Sequence, residues 1–213
     1  MKLQRKTGKS GFTLIEIIVV IAILAILSSL GWQAYKLINT RKLNKTAEIQ
    51  ISQMEAALND YRQDNADTVP YADGDTWSSH VLYKALYCDE DNDGEPDKDK
   101  DTHEQRIPYC TAIVPIANPK KLTEIQNGIP AMKVQTRASQ RGKKMSKFFV
   151  IIDPWGNPYL YRSGYEVRDE HNHRGKGQNA DFDIFSQGAD GLGDGRSNIQ
   201  DNEDNISNIR TWD

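Results

Sequence analysis

The stretch GFTLIEIIVVIAILAIL at residues 11–27 decides the fold. Four basic residues precede it, and the apolar character continues to Trp32. The apolar run from Phe12 is about 20 residues long, which is enough for a helix to span a bilayer. The basic residues before it favour a cytoplasmic N-terminus. An ordinary secretory signal peptide has a small-residue cleavage site after its apolar region, and this sequence has none there. The sequence therefore predicts a transmembrane helix.

One acidic residue, Glu16, lies inside this apolar run. A carboxylate at membrane depth costs on the order of 3 kcal/mol on insertion scales, and such residues usually have a function. A simple membrane anchor has no use for a carboxylate at this depth. Glu16 is therefore the first candidate functional residue.

The sequence from Gly11 through Phe12 to Glu16 resembles the cleavage and methylation motif of type IV pilins and pseudopilins. The resemblance implies that residues 1–11 are a prepilin leader peptide, which a membrane prepilin peptidase removes after Gly11. It also implies that Phe12 becomes the N-methylated N-terminus. Glu16 lies about one helical turn further on, and we expect its carboxylate to pair with the Phe12 amine of its own chain or of a neighbour in a filament.

An amphipathic segment follows the membrane segment, with a single apolar face. That face is formed by Ala47, Ile51, Met54, Leu58 and Tyr61. Proline is absent between Phe12 and Val69, so one helix of about 50 residues is predicted. We assign residues 12–34 to its transmembrane half and residues 35–65 to its periplasmic half.

Residues 66–147 are polar, and we interpret them as a variable insertion with one short helix between Trp77 and Tyr87. Within it, the spacing of Asp89, Asp91 and Asp93 matches the first half of an EF-hand calcium loop. Lys100 stands where that loop needs a bidentate glutamate, so a second metal site and a solvated acidic loop both remain open.

The two cysteines, Cys88 and Cys110, flank this acidic run. Two cysteines alone do not make a metal cage, and exported proteins form disulfides in the periplasm. We therefore expect a Cys88–Cys110 disulfide that staples the loop.

The C-terminal region, residues 148–213, carries three strand patterns that predict one small antiparallel sheet packed on the long helix. These patterns lie at residues 148–152, 159–161 and 182–185. The predicted fold is α+β and type IV pilin-like, with a calcium loop near the C-terminus.

The sequences DPWGNPY at 153–159 and DIFSQGADG at 183–191 closely resemble the major pseudopilin of type II secretion. That resemblance implies one Ca²⁺ bound by a late loop. Carried onto this chain, its ligands are Gln187 and Leu192 through their carbonyls, Asp190 and Asp204 through carboxylates, and Asn205 through its side-chain oxygen. Glycines in this loop allow carbonyls to turn inward.

These resemblances predict a structural subunit, the major pseudopilin, that polymerises with itself into the periplasmic pseudopilus of a type II secretion system. Minor pseudopilins and an inner-membrane assembly platform are the other implied partners. A type IV pilin or minor pseudopilin, and a non-polymerising membrane-anchored calcium-binding module, are the alternatives.

An enzyme and a nucleic-acid-binding protein are not expected. The formal charge is −3, which does not suit phosphate neutralisation. The four histidines are scattered, and no nucleophile elbow, P-loop or HExxH motif occurs in the sequence.

Overall fold

The computed structural model describes residues 12–72, 78–116, 128–135, 147–191 and 206–208. Two helices and six strands lie in these ranges. They are α1 (Leu14–Asp64), α2 (Ser78–Tyr87), β1 (Ile113–Ile116), β2 (Ile129–Gln135), β3 (Lys147–Ile151), β4 (Leu160–Ser163), β5 (Phe182–Ser186) and β6 (Ile206–Ser207).

The chain divides into two compact units, Met1–Lys42 and Leu43–Asp213, and α1 begins in the first and ends in the second. In the first unit the large apolar side chains that the structure describes between Phe12 and Ile38 are exposed. This part of α1 is long and apolar enough to cross a membrane. The predicted membrane-anchoring helix is therefore present, and helical backbone continues through Gly31.

In the second unit the predicted apolar face of α1 forms part of the core. Ala47, Ile51, Met54 and Leu58 are buried, and Tyr61 is half-buried. After α1 ends at Asp64, Arg62 ties the following turn to the globular region through ion pairs with Asp67 (2.7 Å) and Asp181 (2.9 Å).

The predicted short helix is confirmed as α2, which lies on β3. Ser79 Oγ donates to the Ile151 carbonyl (2.9 Å) and accepts from the Ile151 amide (3.0 Å). The ring of Tyr83 stacks on Phe149, with 5.2 Å between ring centroids. The hydrogen bonds from the Ser79 side chain to the strand backbone and the aromatic stacking together hold α2 on β3.

The prediction of a single C-terminal sheet is wrong, because the three expected strands belong to two sheets. One sheet has the order β1-β2-β3, with β1 parallel and β3 antiparallel to β2. The other has the order β4-β5-β6 and is antiparallel. Between β3 and β4 only an isolated bridge, Ile152 to Pro158, extends the pairing. β4 itself pairs with β5 and not with β3.

The region interpreted as an insertion contributes directly to the core. Ile113 of β1 and both Ile129 and Ala131 of β2 are buried in the same cluster as Met54 and Leu58 of α1. The fold is α+β, with a long apolar N-terminal helix followed by small sheets, and it is consistent with a type IV pilin-like fold.

Candidate functional site

The first candidate site is at the N-terminus of α1, where Glu16 and Thr13 bond reciprocally. The Glu16 carboxylate accepts from the Thr13 amide (2.7 Å) and from the Thr13 hydroxyl (2.8 Å). The Glu16 amide points back to Thr13 Oγ1 at 3.4 Å. This is a capping box, which satisfies donors that the first helical turn leaves without partners. The carboxylate also lies where the helix dipole favours negative charge.

The bonds of the capping box hold Glu16 in a defined place among exposed apolar side chains. Phe12, Leu14 and Ile15 are 82%, 75% and 68% exposed. The predicted role of Glu16 invoked only the Phe12 amine, and the contribution of Thr13 was missed. The spacing Thr-x-x-Glu before an apolar run is the sequence signal that would have revealed it. The predicted cleavage residue Gly11 lies outside the described residues.

The second candidate site is the predicted calcium loop that follows β5. Of its five expected ligands, Gln187 and Asp190 are described, whereas Leu192, Asp204 and Asn205 lie outside the described residues. Asp190 is exposed, and the backbone turns through Gly188 and Gly191, both with φ of 66°. One carboxylate beside turned backbone suits part of a calcium shell, which needs six to eight oxygens.

A buried network anchors the start of this loop to the turn between β3 and β4. Asp153, which is 1% exposed, accepts from Ser186 Oγ (2.5 Å) and from the amides of Trp155 (3.0 Å) and Asn157 (2.8 Å). The Gly188 amide donates to Ser186 Oγ (3.0 Å), and Asn157 Nδ2 donates to the Gly188 carbonyl (2.8 Å). Burial raises the pKa of the Asp153 carboxyl, although these hydrogen bonds oppose the rise.

The third candidate site is the acidic loop after α2. One carboxylate oxygen from each of Asp89, Asp91 and Asp93 lies within 4.8 Å of the others. Asp89 is fully buried and accepts from Tyr83 Oη (3.0 Å) and from the amides of Asn92 (2.6 Å) and Gly94 (3.0 Å). Burial raises the pKa of Asp89. Calcium binding here stays a prediction.

The expected Cys88–Cys110 disulfide is not formed, since both residues are buried free thiols. Cys88 has a left-handed backbone with φ of 57°, and its Sγ points to the carbonyls of Ala85 (4.0 Å) and Ile107 (3.9 Å). The Cys110 amide donates to the Leu86 carbonyl at 3.3 Å. This backbone hydrogen bond joins the end of the loop to the end of α2, where the loop starts. Burial raises the pKa of both thiols.

Residues 6–32 match the family described as the prokaryotic N-terminal methylation motif. The match covers the first candidate site and supports a type IV pilin-like prepilin class. No curated protein matches the chain. No solved structure matches it either.

Proposed function

We propose that this membrane-anchored, pilin-like chain is a structural subunit, the major pseudopilin, of the periplasmic pseudopilus of a type II secretion system. The observation that carries the proposal is Glu16, held by Thr13 at the start of an exposed apolar helix within the methylation motif. A carboxylate in that position can form an ion pair once cleavage creates a positively charged N-terminus beside it. The desolvated pair then serves mainly as a register device, because leaving either charge unpaired is costly.

One further observation supports a pseudopilin in particular, and another supports assembly in general. The DPWGNPY sequence, which resembles the major pseudopilin, forms the tight turn whose Asp153 bonds to the start of the predicted calcium loop. The exposed apolar half of α1 offers a surface that either lipid or neighbouring helices can cover. A chain of this kind acts by assembly rather than by catalysis.

The processing step is tested by the intact mass of the protein purified from membranes of its native cell. We expect the mass of residues 12–213 plus one methyl group. A protein that still begins at Met1 would contradict the proposal.

Deletion of the gene, followed by a secretion assay, separates the two assembly classes. A pseudopilin is required for export of exoproteins, whereas a type IV pilin is required for surface pili.

The proposal includes one Ca²⁺ in the loop that follows β5, held by Gln187, Asp190, Leu192, Asp204 and Asn205. The ion would order a polar, glycine-rich segment that buries little apolar surface. We expect a chelator to lower the melting temperature of the detergent-solubilised full chain, and added Ca²⁺ to restore it. Asp190→Ala should weaken that response, whereas Glu48→Ala, on an exposed face of α1 and outside both predicted metal sites, should not. A melting temperature unchanged by excess chelator would remove calcium from the proposal.

A further inference from the structure

A cluster of two aromatic rings and one lysine marks the end of the apolar run on α1. The rings of Trp32 and Tyr35 lie 6.2 Å apart, tilted by 33°, and Lys36 Nζ lies 5.7 Å from the Trp32 ring centroid. The three residues occupy one helix face, at positions i, i+3 and i+4. Trp32 and Tyr35 are 62% and 63% exposed, so most of this aromatic surface is open to a partner.

The position of the cluster matches the thickness of a bilayer. From Phe12 to Trp32 there are 20 residue steps, which at about 1.5 Å each span roughly 30 Å. That length equals the hydrocarbon core of a typical bilayer, about 30 Å. When Phe12 lies at one boundary of the hydrocarbon, Trp32 therefore lies at the other.

The chemistry of the three side chains suits the boundary between lipid chains and headgroups. Indole and phenol rings have an apolar body and a polar edge, and they concentrate at membrane interfaces. A lysine lays its methylene stem along apolar surface and places its ammonium in the headgroup region, where lipid phosphates lie. Lys36 meets this description because its ammonium lies beside the Trp32 ring.

We propose that Trp32, Tyr35 and Lys36 form an interfacial anchor that binds the lipid headgroup region on the periplasmic face and fixes the depth of α1. Glu16 is 16 residue steps from Trp32, or roughly 24 Å along the helix. The anchor therefore holds Glu16 about 6 Å, one helical turn, inside the opposite boundary. At that depth the Thr13 amide and hydroxyl supply the hydrogen bonds that lipid cannot.

This inference rests on membrane insertion, which is part of the proposed function, and does not require polymerisation. It is tested with the full chain in phosphatidylcholine vesicles at a high lipid-to-protein ratio, with Trp77, Trp155 and Trp212 replaced by Phe. Lipids brominated at shallow or deep acyl positions then report the depth of Trp32. We expect shallow bromines to quench Trp32 at least twofold more strongly than deep ones.

The double variant Tyr35→Leu/Lys36→Leu should move the quenching maximum towards the deeper bromines. Lys45→Leu removes an exposed lysine further along the same helix and should leave the profile unchanged. Equal quenching at all depths, no quenching, or an unchanged profile in the double variant would each overturn the anchor. Absence of quenching would indicate that a second copy covers the face.

Radical footprinting of the unmodified chain in vesicles provides a second test that does not depend on the tryptophan replacements. We expect protection to end within a few residues after Lys36. Core side chains from Ala47 onward are protected by the fold itself, so only exposed side chains report membrane depth. Protection of the exposed Ile49 side chain, or protection that ends before Trp32, would overturn the proposal. Leader processing and filament formation are measured separately, so failure of the anchor is distinguishable from failure of the proposed function.

Discussion

A chain with Glu16→Val is expected to enter the membrane normally and to yield almost no filaments. Valine suits the apolar run better than glutamate does, so insertion should not suffer. What is lost is the only acidic side chain in α1 before Glu48, and with it the partner for the new N-terminal amine. Removing one member of a buried ion pair costs about 3–5 kcal/mol.

A cost of about 3 kcal/mol per subunit contact corresponds to roughly a 100-fold weaker association. Filament yield can be measured by electron microscopy and by immunoblotting of sheared surface filaments after overexpression. Membrane insertion is checked in the same cells by resistance of the chain to alkaline extraction. Wild-type filament yield from Glu16→Val would contradict the assigned role.

Glu16→Gln separates the ion pair from the capping box. Glutamine also serves at this position of a capping box, so the bonds with Thr13 can persist without the charge. If Glu16 acts through its charge, the glutamine variant should fail to assemble as completely as the valine variant. Full assembly of the glutamine variant would assign Glu16 to helix capping instead.

The long helix and its buried face could be predicted because both depend on local pattern. An unbroken apolar run and a period near 3.6 residues need no knowledge of the rest of the chain. The burial of Ile51, Met54 and Leu58 follows from that period. The helix α2 was predicted for the same reason, from spaced apolar residues such as Leu82 and Leu86.

Strands β1 and β2 were missed because each contains a proline, Pro115 and Pro130. Proline cannot donate to a sheet ladder and normally argues against a strand. Here the register places Val114 opposite Pro130 and Pro115 opposite Ala131. Burial of neighbouring side chains such as Ile129 and Ala131 outweighs the cost of the hydrogen-bond donor that each proline lacks.

The hydrogen-bond networks could not be read from the sequence, because their members are far apart along the chain. The turn signal around Asp153 was clear, but its bond to Ser186 joins residues 33 positions apart. Likewise, Lys133 Nζ donates to the carbonyl of Asn92 (2.7 Å) and so attaches the acidic loop to β2, across 41 positions.

Asp153→Ala is expected to lower the free energy of unfolding of the full chain in detergent by about 2–4 kcal/mol. The substitution leaves the Ser186 hydroxyl and the amides of Trp155 and Asn157 without their acceptor. A buried donor that loses its partner costs about 1–3 kcal/mol, and removing a buried charge offsets part of the sum. Denaturant unfolding, followed by circular dichroism, measures the difference.

Asp169→Ala is the matched control, because Asp169 also caps a turn by accepting two backbone amides. Asp169 Oδ1 accepts from the amides of His171 (2.9 Å) and His173 (2.7 Å), but these bonds lie at the surface. Water can replace them, so we expect a loss below about 1 kcal/mol. Equal losses at the two positions would show that burial of Asp153 contributes nothing beyond the turn.

The pH dependence of the unfolding free energy gives a second, independent test of the role of the Asp153 carboxyl. Because burial raises the pKa of Asp153 in the folded chain, the folded state takes up its proton more readily than the unfolded state does. The contribution of Asp153 to stability therefore falls as the pH rises from the ordinary carboxyl range through this raised pKa. Relative to Asp153→Asn, which does not titrate, the natural chain should gain stability as the pH is lowered from 7 to about 4. A difference that moves in the opposite direction would mean that the hydrogen bonds from Ser186 and the turn amides outweigh the cost of burial, and that the network stabilises the charged form.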